Sequence, residues 1–295
     1  MRIEKIDAHH HLWSVNSPAY PMMAAPGAIR FFGDTEGLKH DFRIEEFLPL
    51  AAGQNVTKSV YVESGYAPAL AETAYVQSLS DRYGFPHAIL ARVDLAAPSA
   101  RSDLKTHAAN RNVRGVRLTL NWDADPLRSS ANRDGLMLDE AWRRGYAALE
   151  DHGLSADLML LPRQMAQADD LARAFPRTPI IINHGGLPLD QDAPGLALWG
   201  SGLERLAAHE HVAIKISGLG MADHRWTIDS IRPLVDRIID IFGPERCMFA
   251  SNFPVDGLHA RYDAIFDAFD AITAGRSRAV RNMLFYETAA RIYRL

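Results

Sequence analysis

Along the chain, short runs of apolar and β-branched residues alternate with longer stretches whose apolar positions recur every three or four residues. The short runs fall at 5–11, 58–63, 87–93, 113–120, 154–160, 179–184, 211–217 and 247–252. Each is about four to eight residues long, a length that suits strands. Amphipathic stretches at 69–83, 99–109, 138–151, 163–175, 195–209, 227–242 and 260–274 read as helices, and 277–293 closes the chain as another. Strand followed by helix, eight times over, predicts parallel strands with right-handed crossovers. Eight such units close into a single (β/α)8 TIM barrel, and no repeat or linker divides residues 1–295.

The connections are of two kinds. Those entering strands are short and punctuated, as in Gly84-Phe85-Pro86 and Gly243-Pro244. Those leaving strands are mostly longer, at 12–55, 121–137 and 185–194. Long loops in a compact domain are usually functional, and in a β/α barrel the loops after the strands build the active site. A site is therefore expected at the carboxyl ends of the strands. The 12–55 loop carries Tyr20, Phe31 and Phe32 and is expected to cap it.

Composition narrows the class. Hydrophobic residues make up 47% and charged residues 23%, enough apolar material for a large core. The net charge of −4 gives no basic excess for nucleic acid or an anionic membrane. A lone cysteine, Cys247, rules out a disulfide framework. No apolar stretch approaches the roughly 18–20 residues of a membrane span, and the acidic, histidine-bearing N-terminus does not read as a signal peptide. A cytoplasmic protein acting on a small molecule is expected, and self-association as a homo-oligomer is left open. The unusual count is twelve histidines.

Their placement carries the chemistry. The first strand ends Asp7-Ala8-His9-His10-His11. Strict alternation puts Asp7, His9 and His11 on one face, with His10 turned outward against the helices. Two imidazoles two apart can share one metal or one anion. The sixth strand runs Ile180-Ile181-Ile182-Asn183 into His184-Gly185-Gly186, where it emerges from the barrel. In the fourth strand Val116, Leu118 and Leu120 alternate with Arg117 and Thr119, so Arg117 is expected inside. The seventh repeats the pattern and turns Lys215 inward. An inward cation is expensive unless it is paired or holds an anion. Glu63, at the end of the second strand, either joins the site or pairs with Arg117 or Lys215. These residues describe a charged mouth suited to a carboxylated or otherwise polar substrate.

Asp7-Ala8-His9-His10-His11-Leu12-Trp13, Asn183-His184-Gly185-Gly186 and Ser251-Asn252-Phe253-Pro254 fall in the order and spacing of one family. The chain resembles the amidohydrolase superfamily, in the branch of predicted metal-dependent barrel hydrolases that includes lactonases of sugar acids and of pyrone dicarboxylates. The resemblance implies that His9, His11 and His184 surround a reacting carbonyl. It also implies a water-activating aspartate on the eighth strand, where this chain has Asn252. Asparagine has no proton-accepting carboxylate, so Asn252 is expected to orient water or bind a carbonyl, and Asp256 or Glu63 is expected as the base. A single divalent ion, zinc first, would be held by His9, His11 and His184; relatives are known with and without a metal, so none is the other expectation. The expected reaction is hydrolysis of a lactone or similar cyclic ester of a small carboxylate-bearing molecule, with Arg117 and Lys215 holding the anion. The alternatives are a metal-dependent decarboxylase of the same superfamily and a barrel that binds a small acid without turning it over.

Overall fold

In a computed structural model, residues 3–21 and 25–295 are described; residues 22–24 of the expected cap lie outside them. Eight parallel strands follow one another around a barrel in chain order: β1 (Lys5–His10), β2 (Val56–Val62), β3 (Ala88–Ala91), β4 (Val113–Thr119), β5 (Ser155–Met159), β6 (Ile180–Ile182), β7 (Val212–Ile216) and β8 (Cys247–Phe249). Helices interleave with them, making a (β/α)8 TIM barrel. Each expected strand is present, shorter by one to three residues at its ends, except β2, which starts two residues earlier. The eighth strand meets the first through single bonds: the Asn252 N–H donates to His9 O at 2.8 Å, and the His11 N–H to Phe253 O at 2.8 Å. The closure seam therefore runs through the expected site.

Alternation sorts the side chains into two cores. Val116, Leu118, Ile180, Ile182, Val212, Ile214 and Ile216 face the helices. Ile6, Ala8, Val60, Val62, Leu90, Ile181, Ala213 and Met248 fill the barrel interior, and Tyr293 of the C-terminal helix plugs its lower end. The interior set is small or β-branched at many positions, as a narrow barrel requires. No helix among the described residues is long and apolar enough to cross a membrane.

The 12–55 loop is more ordered than its sequence suggests. It holds α1 (Ile44–Gly53) and a small antiparallel hairpin, Ile29–Arg30 against Gly33–Asp34. Arg43 and Glu46 close the helix start, the Arg43 N–H donating to Glu46 Oε2 at 2.7 Å. The helix was hidden in the sequence because Pro49 lies within it, where proline ordinarily breaks a helical pattern.

Candidate active site

A cavity of about 470 Å³ opens at the carboxyl ends of the strands, lined among others by His11, Glu63, Arg117, His184 and Asn252. Phe31 and Phe32 of the cap hairpin form part of its wall. They are held from beneath: His224 Nε2 donates to Phe31 O at 2.9 Å and His259 Nε2 to Phe32 O at 2.8 Å. The two imidazoles stack with centroids 4.2 Å apart. Tyr20 packs edge-on against Tyr66, 5.0 Å away, and is absent from the cavity wall.

Backbone irregularity aims the histidines. An extra residue in β1 between Asp7 and His10 shifts its register against β2. The expectation that Asp7, His9 and His11 share one face fails at this bulge, which reverses the alternation. Asp7 turns to the helical layer, where it accepts from Tyr262 Oη at 3.0 Å and Ser251 Oγ at 2.6 Å. His9 and His11 turn inward, their Nε2 atoms 3.2 Å apart. His10 stacks on Phe47 of α1 at 4.0 Å, outward as expected. His184 and Asn252 both have left-handed backbone, φ 55 and 54. That conformation is uncommon outside glycine and costs roughly 1–3 kcal/mol. Gly218 (φ 64) makes room beside His184, since a Cβ there would lie 2.7 Å from His184 Nδ1. The centroid of His184 is 4.5 Å from that of His9.

Burial pushes all three imidazoles toward the neutral form. Desolvation lowers His9 and His184 well below the usual histidine range, assisted by Lys215 for His9 and Arg117 for His184. His11 is lowered to about 4 by burial and then by Arg117. His11 Nδ1 lies 3.0 Å from Val62 O, so it carries the proton and leaves Nε2 as acceptor. His184 Nδ1 lies 3.0 Å from Ser217 Oγ.

The cations separate. Arg117 Nη1 donates to Glu63 Oε1 at 3.0 Å, while its Nε has no hydrogen-bond partner among the described residues. Glu63 is also 3.6 Å from Arg92 Nε and accepts from the Gly65 N–H at 3.0 Å. These contacts engage both carboxylate oxygens, so Glu63 stands at the cavity as the partner of Arg117 and Arg92. Lys215 does not line the cavity. It is fully buried beside Asp157, 2.8 Å away, which also accepts from Tyr293 Oη and Asn183 Nδ2. The expected substrate-binding role of Lys215 is therefore corrected to a buried ion pair beneath the histidines.

Asp256 is also displaced. It lies behind Asn252, off the main cavity, among Leu219, Trp226, Ile231, Ile265 and Phe269. Asn252 Nδ2 donates to its Oδ1 at 3.1 Å. Burial raises its carboxyl to about 7. It is buried and does not line the main cavity, so the expectation of a direct base fails on its position. Nor do three metal-ligating side chains close into a set among the described residues. Of the three histidines expected to hold zinc, His9 and His11 bring their Nε2 atoms to 3.2 Å, and the His184 ring lies 4.5 Å from that of His9.

Imidazoles, an arginine and an amide gathered at the carboxyl end of a β/α barrel define an enzyme site of the kind that fold supports. The amidohydrolase profile matches residues 6–295, and the chain belongs to that family: it is an enzyme, a hydrolase. It is 39% identical over 292 residues to the uncharacterized protein y4mH of Sinorhizobium fredii, covering 98% of each chain. It is 28% identical to an L-fucono-1,5-lactonase of Burkholderia multivorans, covering 99% of this chain and 96% of that one. A solved amidohydrolase from Burkholderia multivorans with bound zinc is 29% identical, covers 99% of each chain and superimposes with a TM-score of 0.83.

Proposed function

We propose that the enzyme hydrolyses a lactone of a small polyhydroxy acid. The observation that carries this reading is the cavity floor, where buried neutral imidazoles, the Asn252 amide and an incompletely paired Arg117 meet. Relatives named L-fucono-1,5-lactonase support a sugar-acid lactone as the substrate. The cavity takes one sugar-sized ring, and its aromatic cap shields the carbonyl from bulk water.

Water adds to the lactone carbonyl carbon while its proton passes to a neutral imidazole. His184 takes this role in the tautomer whose Nδ1 donates to Ser217 Oγ, which leaves Nε2 as the acceptor. The ring C–O bond then breaks, and the imidazolium returns the proton to the leaving alkoxide. The new carboxylic acid ionises in solution. Arg117, whose side chain lines the cavity, stabilises the oxygen that becomes negative. A divalent ion fits His9 and His11, because ligands at 2.0–2.1 Å in tetrahedral array lie about 3.3 Å apart and these nitrogens are 3.2 Å apart. When bound, such an ion supplies Lewis-acid polarisation of the carbonyl.

Acid release from a panel of sugar 1,4- and 1,5-lactones, with carbon dioxide monitored in parallel, tests the reading. Turnover of at least one lactone, lost in His184→Ala, is expected. Carbon dioxide release without lactone opening would transfer the enzyme to the decarboxylase alternative.

A further inference from the structure

The amide of Asn252 stands where the family resemblance implies an aspartate, and its surroundings fix which way it faces. Its Nδ2 donates to Asp256 Oδ1 at 3.1 Å, and the other amide proton is near Met221 Sδ, 3.6 Å away. Among the described residues both side-chain contacts of Asn252 are made by Nδ2 and none by Oδ1, and Asn252 lines the cavity, which Asp256 does not. The local chain builds the pair. Asn252 has left-handed backbone, and the turn after it closes with the Asp256 N–H donating to Asn252 O at 3.1 Å. The carboxyl thereby comes back under the amide. Its other neighbours are the Gly218 backbone and apolar side chains, so among the described residues no cation competes for it.

We infer that Asp256 is a positioning residue that locks the Asn252 amide so that its oxygen faces the cavity as a fixed hydrogen-bond acceptor for the attacking water. A carboxylate accepts and cannot donate, so Asp256 in its ionised form, which burial confines to pH above about 7, admits only this orientation of the amide. The acceptor orients water without taking its proton, which leaves proton transfer to an imidazole. The inference rests on the lactonase reading for the identity of the water.

The test exchanges the two residues. Asp256→Asn frees the amide to turn, and kcat should fall about 10²-fold with KM little changed, the scale of a misplaced reactant. The double variant Asn252→Asp/Asp256→Asn again pairs an amide with a carboxylate and again presents an acceptor to the cavity. It should recover to within about tenfold of wild type. Side-chain amide NMR gives a readout free of substrate: the Asn252 NH2 protons, assigned by their loss in Asn252→Asp, should be protected in wild type and exposed in Asp256→Asn. Protected protons in an enzyme that opens no lactone would support the locked amide and overturn the lactonase reading. Freely exchanging Asn252 protons in wild type would overturn the inference. So would a kcat for Asp256→Asn within twofold of wild type, or a double variant no better than that single one.

Discussion

Arg117 on β4 and Lys215 on β7 sit in the same kind of sequence, a cation alternating with β-branched and leucine residues that face the helices. Both turn into the barrel. The Arg117 side chain keeps 13% exposure and lines the cavity, sharing Glu63 with Arg92. The Lys215 side chain has none and is paired with Asp157, capped by Tyr293 Oη on the same carboxylate. Depth in the barrel decides between the two. Near the mouth a cation can keep donors free for a ligand. Deeper in, desolvation makes a partner obligatory, and the charge becomes part of the scaffold. Lys215 still reaches the site through its field, as one of the charges that hold His9 neutral.

The largest effect should come from breaking the deep pair. Lys215→Ala leaves Asp157 buried without its counter-ion and should cost about 3–5 kcal/mol, read as a lower denaturant midpoint. If Lys215→Ala lowered activity while stability stayed put, Lys215 would belong with Arg117. The complementary change, Arg117→Ala, should reduce kcat/KM about 10²–10³-fold, the range for removing one donor to a developing oxyanion. Its stability should change less, because Glu63 retains Arg92 and the Gly65 N–H. Near-normal turnover in Arg117→Ala would erase the distinction from the other side.

Asp256 sharpens the comparison as a buried carboxyl with no cation beside it. Its folded pKa, about 7, lies above the ordinary 3.8. The native state therefore holds a proton that the unfolded chain releases, and stability is lost as pH rises from about 4 to about 7. Asp256→Asn should accordingly be more stable than wild type at pH 8, by on the order of 4 kcal/mol. The two melting curves should converge near pH 4; a constant offset across that window would contradict the assigned burial cost. The smallest effect belongs to the cap. His259→Ala removes one donor to Phe32 O and should cost about 1 kcal/mol or less in stability. It should raise KM severalfold with kcat little altered, as steady-state kinetics would show.

The strand and helix order was legible because alternation and helical periodicity are local. The inward faces of Arg117 and Lys215 followed from the same alternation, and the outward His10 from parity. Asp7 was misplaced because a bulge inserts a residue without leaving any sign in residue types. His184 was aimed correctly in outcome, yet its inward turn depends on a left-handed backbone that the following Gly185-Gly186 only hints at. The Asn252–Asp256 contact is local in sequence, but its direction away from the cavity depends on residues from three other segments: Leu219 and Trp226, Ile231, and Ile265 and Phe269.

By itself, then, the sequence determined a barrel of eight parallel strands, a site at their carboxyl ends, and a set of histidines and an arginine to furnish it. Those properties rest on hydrophobic period, loop placement and residue chemistry, all of which are written within a few residues of where they act. Only the tertiary structure decided which groups stand free and which are already paired. Glu63 is held by two arginines, Lys215 by Asp157, and Asp256 by Asn252, while His9 and His11 face one another across 3.2 Å. Each of those outcomes is a matter of distance and desolvation between residues far apart in the chain, or of a bulge or left-handed turn that re-aims a side chain. Whether a charge does chemistry or holds the scaffold together is set there, by its depth and by its nearest partner.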